Sequence, residues 1–382
     1  MKVGIVVPFS WSFWGGVPEH ADHQARALLD RGHDVRLIIG NDPPGRLTKL
    51  LHPRAGRHEP PPEYVIPVGR SVIAPANGSL PNIVLSPHVF ALLPRILARE
   101  RFDVLHVHEP FAPVVSPLAL ALARGPVVTT SHASGERLRW YPVTKATWPN
   151  LAARIDYRIA VSERARRSAE PYLGGPFEII PNGVLVPPHA DPTRREHRVV
   201  FIGRHERRKG LPVLLRAWPE VHSRTGARLR VVGADPLSVR WLIRREELRA
   251  EGVDILGSIT EEALTEELLT AKALAAPSLG GESFGMVLTR AFACATPVVA
   301  SDIDGYADVA GPDVGALVPP GDAGALAEAL VTFLVDDERR AAAGRAARTL
   351  ARERYGWGRI AGRLEEIYEQ LAGVPEREEV AA

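Results

Sequence analysis

The chain has 382 residues, of which 45% are hydrophobic, and its formal net charge is +2. A chain of this length and composition can bury a large core and most often folds as two domains. The small net charge excludes a strongly basic nucleic-acid binder, and the single cysteine, Cys294, excludes a scaffold of internal disulfide bonds.

Neither a secretion signal nor a membrane span is predicted. The first apolar run, Val3–Val7, is shorter than the core of a signal peptide. The longest apolar run, near Val114–Ala123, is interrupted by Ser116 and Pro117 and is far too short to span a bilayer. We therefore expect a cytoplasmic protein, with peripheral attachment at the inner membrane face left open.

Short apolar runs alternate with helical patterns along the first half of the chain. In chain order the segments are KVGIVVPF (strand), PEHADHQARALLDRG (helix), HDVRLIIG (strand), SPHVFALLPRILARER (helix), FDVLHVHEP (strand), GPVVTTSHAS (strand) and RIDYRIAVS (helix end into strand). Strands that alternate with helices, without tight hairpin turns, are typical of parallel βαβ units.

The second half begins the same pattern again. Its segments are RVVFIGR, LPVLLRAWPEVHSR, ARLRVVGA, VDILGS, EELLTAKALAAPS and TPVVASD, followed by three helical segments across Ala323–Leu371. The pattern predicts an α/β fold of two successive Rossmann-like, doubly wound parallel-sheet domains. We expect domains over residues 1–172 and 173–352, and a final helix, within 353–382, that crosses back to the first domain.

Open α/β sheets bind ligands beyond the carboxyl ends of their strands, so chemistry is expected where the predicted strands end. These ends are Phe9–Gly16, His106–Pro110, Ser131–Ser134, Gly203–Lys209, Pro277–Gly285 and Ser301–Gly305.

The first strand ends in the loop SWSFWGGVPEH. Gly15 and Gly16 precede a predicted helix, where glycine lets the backbone approach a ligand and the helix terminus favours an anion. The pair suits a phosphate or a sugar, and a turn without a ligand is the alternative. The aromatic residues in front of it, Trp11, Phe13 and Trp14, could line the approach of an acceptor or could equally be ordinary packing.

The segment FIGRHERRKG places two cations at one strand-to-helix junction. Arg204 can bind a diphosphate as a fork and Lys209 as a point charge, so together they can neutralise a departing diphosphate. A solvated basic loop is the alternative.

A glycine-rich segment, PSLGGESFGMVLTR, brackets Glu282 at a predicted helix start. The free amides of residues 283–287 suit a phosphate. Glu282 could accept hydrogen bonds from sugar hydroxyls, or could simply cap the helix.

Taken together, these motifs resemble the GT4 family of retaining glycosyltransferases, which has the GT-B fold, with two Rossmann-like domains facing across a cleft. The resemblance covers nearly the whole chain in order and is carried by the early GGV, by IPNG at Ile180–Gly183, by GR five residues before KG, by GESFG and by PVVASD. Within the family the chain is most similar to actinobacterial phosphatidyl-myo-inositol mannosyltransferases, through HEP at His108–Pro110, NGS at Asn77–Ser79, LGGESFG, VVASDIDGY and WGRIAGRLEEIYE.

The resemblance implies roles for particular residues. The residues implied in catalysis are His132, near the reacting face of the sugar, Arg204 and Lys209, which hold the departing diphosphate, and Glu282, which binds sugar hydroxyls. The residues implied in donor binding are Gly15, Gly16, Ile259 near the base, Gly281, Ser283, Phe284, Gly285, the amides of Met286 and Val287, and the position of Arg290. The residues implied in acceptor binding are Trp11, Trp14, Asn77 and Ser79. Without the resemblance, a histidine at a strand end is more often structural.

The implied reaction moves a hexose, with mannose as one candidate, from a nucleotide-diphosphate sugar held by the second domain. The acceptor, on the side of the first domain, is lipid-linked or a small polyhydroxylated molecule. The acceptor hydroxyl attacks from the face that the diphosphate leaves, through an oxocarbenium-like transition state. No cofactor and no metal are implied, because GT4 members carry a string similar to Asp302-Ile-Asp304 without metal dependence.

The first departure from the family pattern is Arg290. The family has there a second glutamate that clasps the nucleotide ribose, and a guanidinium cannot accept hydroxyl protons. Weaker donor binding, a changed donor and a non-catalytic relative that acts as a partner or regulator are the possible consequences. Because the phosphate-binding residues are present, a working enzyme is favoured. A nicotinamide-dependent oxidoreductase is disfavoured, since no G-x-G-x-x-G follows either opening strand.

The second departure concerns the acceptor. The lipid-modifying relatives carry a basic helix that touches anionic membrane, whereas here the segment Ser86–Arg101 has an apolar face and its cations cluster at its end. Asn82 stands where the relatives have an arginine. Basic residues within Gly135–Lys145 could replace that contact. A phospholipid acceptor at the membrane surface therefore stays one option among several.

Overall fold

The computed structural model describes residues 1–13, 15–52, 60–74, 81–132, 148–191 and 194–373. These residues form two compact units. The first comprises Met1–Gly183 together with the described residues from Trp357 onward, and the second comprises Val184–Gly356. The sequence analysis placed the domain boundaries at 172/173 and 352/353. In the structure the two units divide at 183/184 and 356/357, both further along the chain.

The first unit is built on a parallel sheet. Its strands are β1 (Lys2–Ser10), β2 (Asp34–Gly40), β3 (Val65–Pro67), β4 (Ser71–Ile73), β5 (Asn82–Val84), β6 (Val104–His108), β7 (Val127–Ser131), β8 (Tyr157–Ala160) and β9 (Glu178–Ile179). Seven of them pair in parallel in the order β3-β2-β1-β6-β7-β8-β9. The short strands β4 and β5 pair antiparallel, and β5 also contacts β1 through Ile83 opposite Phe9.

Helices cover this sheet, and the longer ones bury an apolar face against it, such as Val89, Leu93 and Ile96 of the third. They are α1 (Gly16–Asp30), α2 (Arg46–Leu51), α3 (Val89–Glu100), α4 (Val115–Leu122), α5 (Trp148–Ala152) and α6 (Glu163–Leu173). The core strands are β-branched runs such as Val3–Val7, in which every residue other than Gly4 is fully buried apolar.

The second unit repeats the arrangement with six parallel strands. They are β10 (Glu196–Ile202), β11 (Arg228–Val232), β12 (Val253–Gly257), β13 (Ala271–Ala276), β14 (Val298–Ser301) and β15 (Gly315–Val318), in the order β12-β11-β10-β13-β14-β15. The helices are α7 (Leu211–Thr225), α8 (Pro236–Arg245), α9 (Glu261–Thr270), α10 (Met286–Ala293), α11 (Asp304–Ala307), α12 (Ala323–Val335) and α13 (Asp337–Leu350), followed by a π-helical turn over Ala351–Tyr355.

Each sheet therefore has a topological switch point, where successive crossovers change direction. It lies between β1 and β6 in the first unit and between β10 and β13 in the second. A crevice at the carboxyl ends of such a strand pair is where doubly wound sheets bind ligands. The prediction of two Rossmann-like, doubly wound parallel sheets is confirmed.

The last described helix, α14 (Trp357–Leu371), belongs to the first unit. Its buried residues Trp357, Ile360, Leu364 and Tyr368 join the core formed by β1, β2 and α1. Among the described residues, no helix is both long enough and apolar enough to cross a bilayer.

Candidate active site

In the second unit, two cations converge on one carboxylate at the switch point. The chain leaves β10, makes a 3₁₀ turn over Arg207–Lys209 and enters α7. Lys209 Nζ lies 2.8 Å from Glu282 Oε1, and Arg208 Nη1 lies 2.7 Å from the same oxygen. Glu282 follows β13, so the contact joins the ends of the two strands that flank the switch point.

Arg204 is connected to this pair through a second carboxylate. Arg204 Nη2 lies 2.8 Å from Glu206 Oε1, and Arg208 Nη2 lies 2.8 Å from Glu206 Oε2. Three cations and two carboxylates thus form one network with a formal charge of +1. The side chain of Arg204 is 47% exposed, whereas that of Lys209 is 15% exposed, so the lysine is the more enclosed cation.

The sequence interpretation named Arg204, Lys209 and Glu282 but missed Glu206 and Arg208. Both missed residues lie within the quoted run RHERRK, where charge alone does not reveal which side chains point inward. The turn decides that, because it places Arg208 and Lys209 on the side of Glu282.

Two further polar residues support Glu282. Ser278 Oγ lies 3.4 Å from Glu282 Oε1 and 2.9 Å from the hydroxyl of Tyr306. Burial, reinforced by the nearby Glu282 carboxylate, raises the pKa of Tyr306, so its phenol stays protonated at neutral pH. Ser278 and Tyr306 lie within the quoted segments PSLGGESFGMVLTR and VVASDIDGY, but the sequence does not single them out. They are brought together only by the packing of α11 against the loop after β13.

Two glycines permit this packing. Gly285 has φ of +83°, and a Cβ there would lie 2.8 Å from Tyr306 Cδ1. A Cβ at Gly305 would lie 2.1 Å from the carbonyl oxygen of Glu282, so the backbones approach more closely than any side chain allows.

The helix α10 begins directly after this loop. Gly285 is its N-cap and provides no side-chain cap, so the first-turn amides of Met286 and Val287 have no carbonyl one turn back to bond. Amides in this position can bind an anion, and their role in donor binding stays a prediction. The other implied donor residues differ in exposure: Gly281 is exposed, Ser283 is half-buried, and Phe284 is buried with its ring centroid 5.7 Å from that of Tyr355.

Arg290 lies on α10 and is paired with a carboxylate from the neighbouring helix. Its Nη2 lies 3.3 Å from Oε2 of Glu261, in the first turn of α9. The half-buried Ile259 precedes that helix by two residues. Sequence reasoning missed Glu261, because nothing in the pattern relates two residues from separate helices.

In the first unit, α1 begins at Gly16 with Gly15 as N-cap, as expected, and both glycines are exposed. The φ of Gly15 is −165°, which any residue can adopt. Trp11 is 2% exposed and packs in the core with β1, which favours the packing interpretation of this residue over an acceptor contact. Trp14, Asn77 and Ser79, and the whole of Gly135–Lys145, lie outside the described residues.

His132 is part of a buried histidine cluster. It follows β7, and its Nε2 lies 2.8 Å from Nδ1 of His108, the last residue of β6. His20, on α1, packs against both, with ring centroids 4.9 Å from His132 and 5.5 Å from His108. The backbone amide of His132 donates to Oε1 of Glu109 at 2.7 Å. Sequence reasoning named only His132 as a site residue.

His106 extends this cluster into the core. Its Nδ1 bonds the hydroxyl of Tyr368, and its Nε2 bonds Oγ1 of Thr130 at 2.7 Å. Burial lowers the pKa of His132 to about 3 and, together with the nearby His132, lowers that of His106 to about 3. Burial and neighbouring histidines also lower the pKa of His20 and His108. The four imidazoles are therefore neutral at physiological pH.

Within the described part of the chain, one set of side chains is grouped closely enough to hold a metal ion. It consists of His20, His108 and His132, whose candidate ligand atoms lie within 4.8 Å of one another. Neutral imidazoles are suitable ligands for transition metals. Asp302 and Asp304 are not part of that set.

Two family descriptions match the chain. Residues 14–185 match Glycosyltransferase Family 4, and residues 196–336 match glycosyl transferases group 1. The chain is 36% identical to a phosphatidyl-myo-inositol mannosyltransferase of Mycolicibacterium smegmatis, over 98% of this chain and 95% of the relative. It is 37% identical to the protein of the same name from Mycobacterium tuberculosis, over 100% of both chains.

Solved structures resemble the chain over nearly its whole length. HepE of Anabaena, crystallised with UDP and glucose, has a TM-score of 0.71 at 23% identity and covers 97% of this chain and 100% of its own. Sucrose-phosphate synthase from Thermosynechococcus elongatus has a TM-score of 0.74 at 22% identity, with 97% and 98% covered. At these identities the likeness is one of fold.

Proposed function

The chain belongs to the GT4 family of glycosyltransferases and has the GT-B fold, and from that premise we propose that it transfers a hexose with retention from a nucleotide-diphosphate sugar. The enzyme class, a hexosyltransferase, follows from the family. The donor, the stereochemical course, the metal independence and the acceptor are the proposal. The acceptor that we propose is lipid-linked or a small polyhydroxylated molecule.

The observation that carries the proposal is the convergence of Lys209 and Arg208 on Glu282 beside the first turn of α10. A diphosphate at this place meets cationic side chains and free helix amides together. Charge develops on the diphosphate as the glycosidic bond breaks, and groups already held in position stabilise that charge without reorganising.

Glu282 serves the sugar in this scheme. Without a ligand its carboxylate is held by two cations and by Ser278. When the diphosphate takes over the cations, the carboxylate becomes free to accept hydrogen bonds from sugar hydroxyls. Since Arg208 and Lys209 then have an anion to bind, no cation is left unpaired in a partly buried site.

Mannose is the sugar we propose, because full-length relatives are named as mannosyltransferases. Thermal shift with guanosine, uridine and adenosine diphosphate sugars identifies the donor. NMR of the product's anomeric proton tests retention, and turnover in excess EDTA tests metal independence.

Lys209→Ala tests the diphosphate role. We expect a fall in kcat on the order of a hundredfold, because one preorganised charge contact to the leaving group is lost. Lys272→Ala is the matched control: Lys272 has a similarly enclosed side chain in the same unit, 14% exposed, and pairs with Asp337 away from the site. Turnover that survives Lys209→Ala while both variants remain folded contradicts the proposal.

Among the lipid-linked acceptors, we propose a phospholipid at the membrane surface. Its support is the name of the relatives and the exposed part of α3, which carries Phe90 at 61% exposure, Leu92 at 37% and the cation Arg95. Radiolabelled sugar should be transferred to phosphatidylinositol in vesicles, and the labelled lipid should then partition into an organic solvent. Label that appears only on free myo-inositol would leave the transferase reaction standing and remove the lipid acceptor.

A further inference from the structure

The helix α8, on the second unit, presents an unusual surface. Val239 and Leu242 face the core of that unit. On the opposite face, Leu237 is 74% exposed and Trp241 is 57% exposed, one turn apart. Large apolar side chains adjacent on one helix face rarely stay in water without a partner.

Arginines flank these two apolar residues. At 100° per residue, Arg240 and Arg244 lie on one side of the line from Leu237 to Trp241, and Arg245 lies on the other. All three are exposed. The guanidinium of Arg245 lies 4.9 Å from the ring centroid of Trp241, which holds the indole at the surface.

No acidic residue lies within α8. Three carboxylates lie at its ends. Asp235 caps the helix by accepting from the amide of Ser238 at 2.8 Å, Glu246 pairs with Arg216 at 3.3 Å, and Glu247 is exposed beyond the last turn. Against the three exposed arginines Arg240, Arg244 and Arg245, Glu247 offsets one charge. The exposed face is therefore cationic around an apolar centre.

We propose that this face of α8, formed by Leu237, Arg240, Trp241, Arg244 and Arg245, binds the surface of an anionic lipid bilayer. The charge of the face complements anionic headgroups, and an indole beside a leucine suits the boundary between headgroups and acyl chains. Arginine binds phosphate as a fork, which a lipid phosphate satisfies. Binding requires neither donor nor acceptor.

Vesicle sedimentation of the full chain tests the proposal. We expect binding to equimolar phosphatidylcholine and phosphatidylglycerol vesicles, and little binding to phosphatidylcholine alone. Arg244→Gln should weaken binding about fivefold, since each cation near an anionic surface contributes about 1 kcal/mol. Arg345→Gln, the same change at an exposed arginine of α13, should leave the affinity unchanged.

A fluorescent label then locates the contact. The chain has one cysteine, Cys294, which is buried, and burial raises its pKa to about 12, so a thiol-reactive dye added to Leu237→Cys labels the new site. When the labelled protein binds anionic vesicles, the emission maximum of the dye should shift to shorter wavelength. The control label is at Leu185→Cys, 53% exposed in the same unit, where no shift is expected.

Three results overturn the proposal. One is binding that Arg244→Gln and Trp241→Ser leave unchanged, which would assign membrane contact to another surface. Another is the absence of vesicle binding. The third is a dye at position 237 that responds to polyglutamate but not to vesicles, which would make the face a docking site for an acidic protein.

Discussion

At the scale of single residues, Arg290 is the position that departs most from the family resemblance. It does not stand as an isolated cation in the site, because Glu261 pairs with it from α9. A carboxylate is thus present near the expected nucleotide-binding loop, although it comes from another helix. The alternative of a non-catalytic relative depended on Arg290, and the family comparisons do not favour it.

This pair makes a testable prediction. Arg290→Glu replaces an ion pair by two like charges, so we expect it to lower the free energy of unfolding by about 1 kcal/mol, the small size reflecting the exposure of Glu261. Adding Glu261→Arg to the same chain should recover most of that loss. Urea unfolding of both single variants and the double variant measures the coupling.

Additive effects in that cycle would show that the two side chains do not interact in solution. The double variant is also the sound background for measuring donor affinity with a glutamate at position 290. The single variant would mix a change in ribose binding with repulsion from Glu261.

At the scale of elements, the ends of β6 and β7 and the first turns of α1 assemble the histidine cluster. The sequence predicted these strands and their ends, and it singled out His132 through the resemblance. It could not show that His20 and His108 reach the same place, because their contact depends on how α1 crosses the sheet. Only side-chain packing decides that contact.

The cluster should make the first unit sensitive to acid. Burial keeps the folded-state pKa of His106 and His132 at about 3, below the value of about 6.5 in an unfolded chain. Their stabilising effect is therefore complete above about pH 6.5 and is lost as the pH falls from there towards 3. Each of these two histidines should lower the free energy of unfolding by about 2 kcal/mol as the pH falls from 6.5 to 5.

Urea unfolding at several pH values measures this dependence. His106→Gln should reduce the slope of stability against pH, whatever its effect at neutral pH. His189→Gln, at an exposed position, is the matched control and should leave the slope unchanged. An unaltered slope in His106→Gln would contradict the buried neutral state of the ring.

At the scale of the whole molecule, the chain passes from the first unit to the second and then returns. The helix α14 completes the first core, where Gly183 lies so close to Trp357 that a Cβ would be 2.4 Å from its Cε2 atom. The stability of the first unit therefore depends on the last helix more than the stability of the second unit does.

A truncation tests this dependence. A chain that ends at Gly356 loses the buried side chains of α14, and we expect the first unit to lose its protection from hydrogen exchange in β1 while the second unit keeps its own in β10. Leu364→Ala should act in the same direction at a cost of about 3 kcal/mol. A chain that ends at Gly373 is the control. Equal protection in the chains ending at Gly356 and Gly373 would refute the role of α14.

The sequence by itself determined the alternation of strands and helices, the strand ends at which ligands are expected, and the family. These follow from local properties: apolar periodicity, glycines at turns, and motifs in order. It also named Lys209 and Glu282, which lie at adjacent strand ends.

Tertiary structure alone decided the partners. Arg208 with Glu282, Tyr306 with Ser278, Arg290 with Glu261 and His20 with His132 are all contacts between segments distant in sequence. The exposed face of α8 belongs to the same class, since its sequence is equally compatible with a buried tryptophan. Such contacts depend on the side chains that packing directs inward or outward, and hydrophobic pattern alone does not specify them.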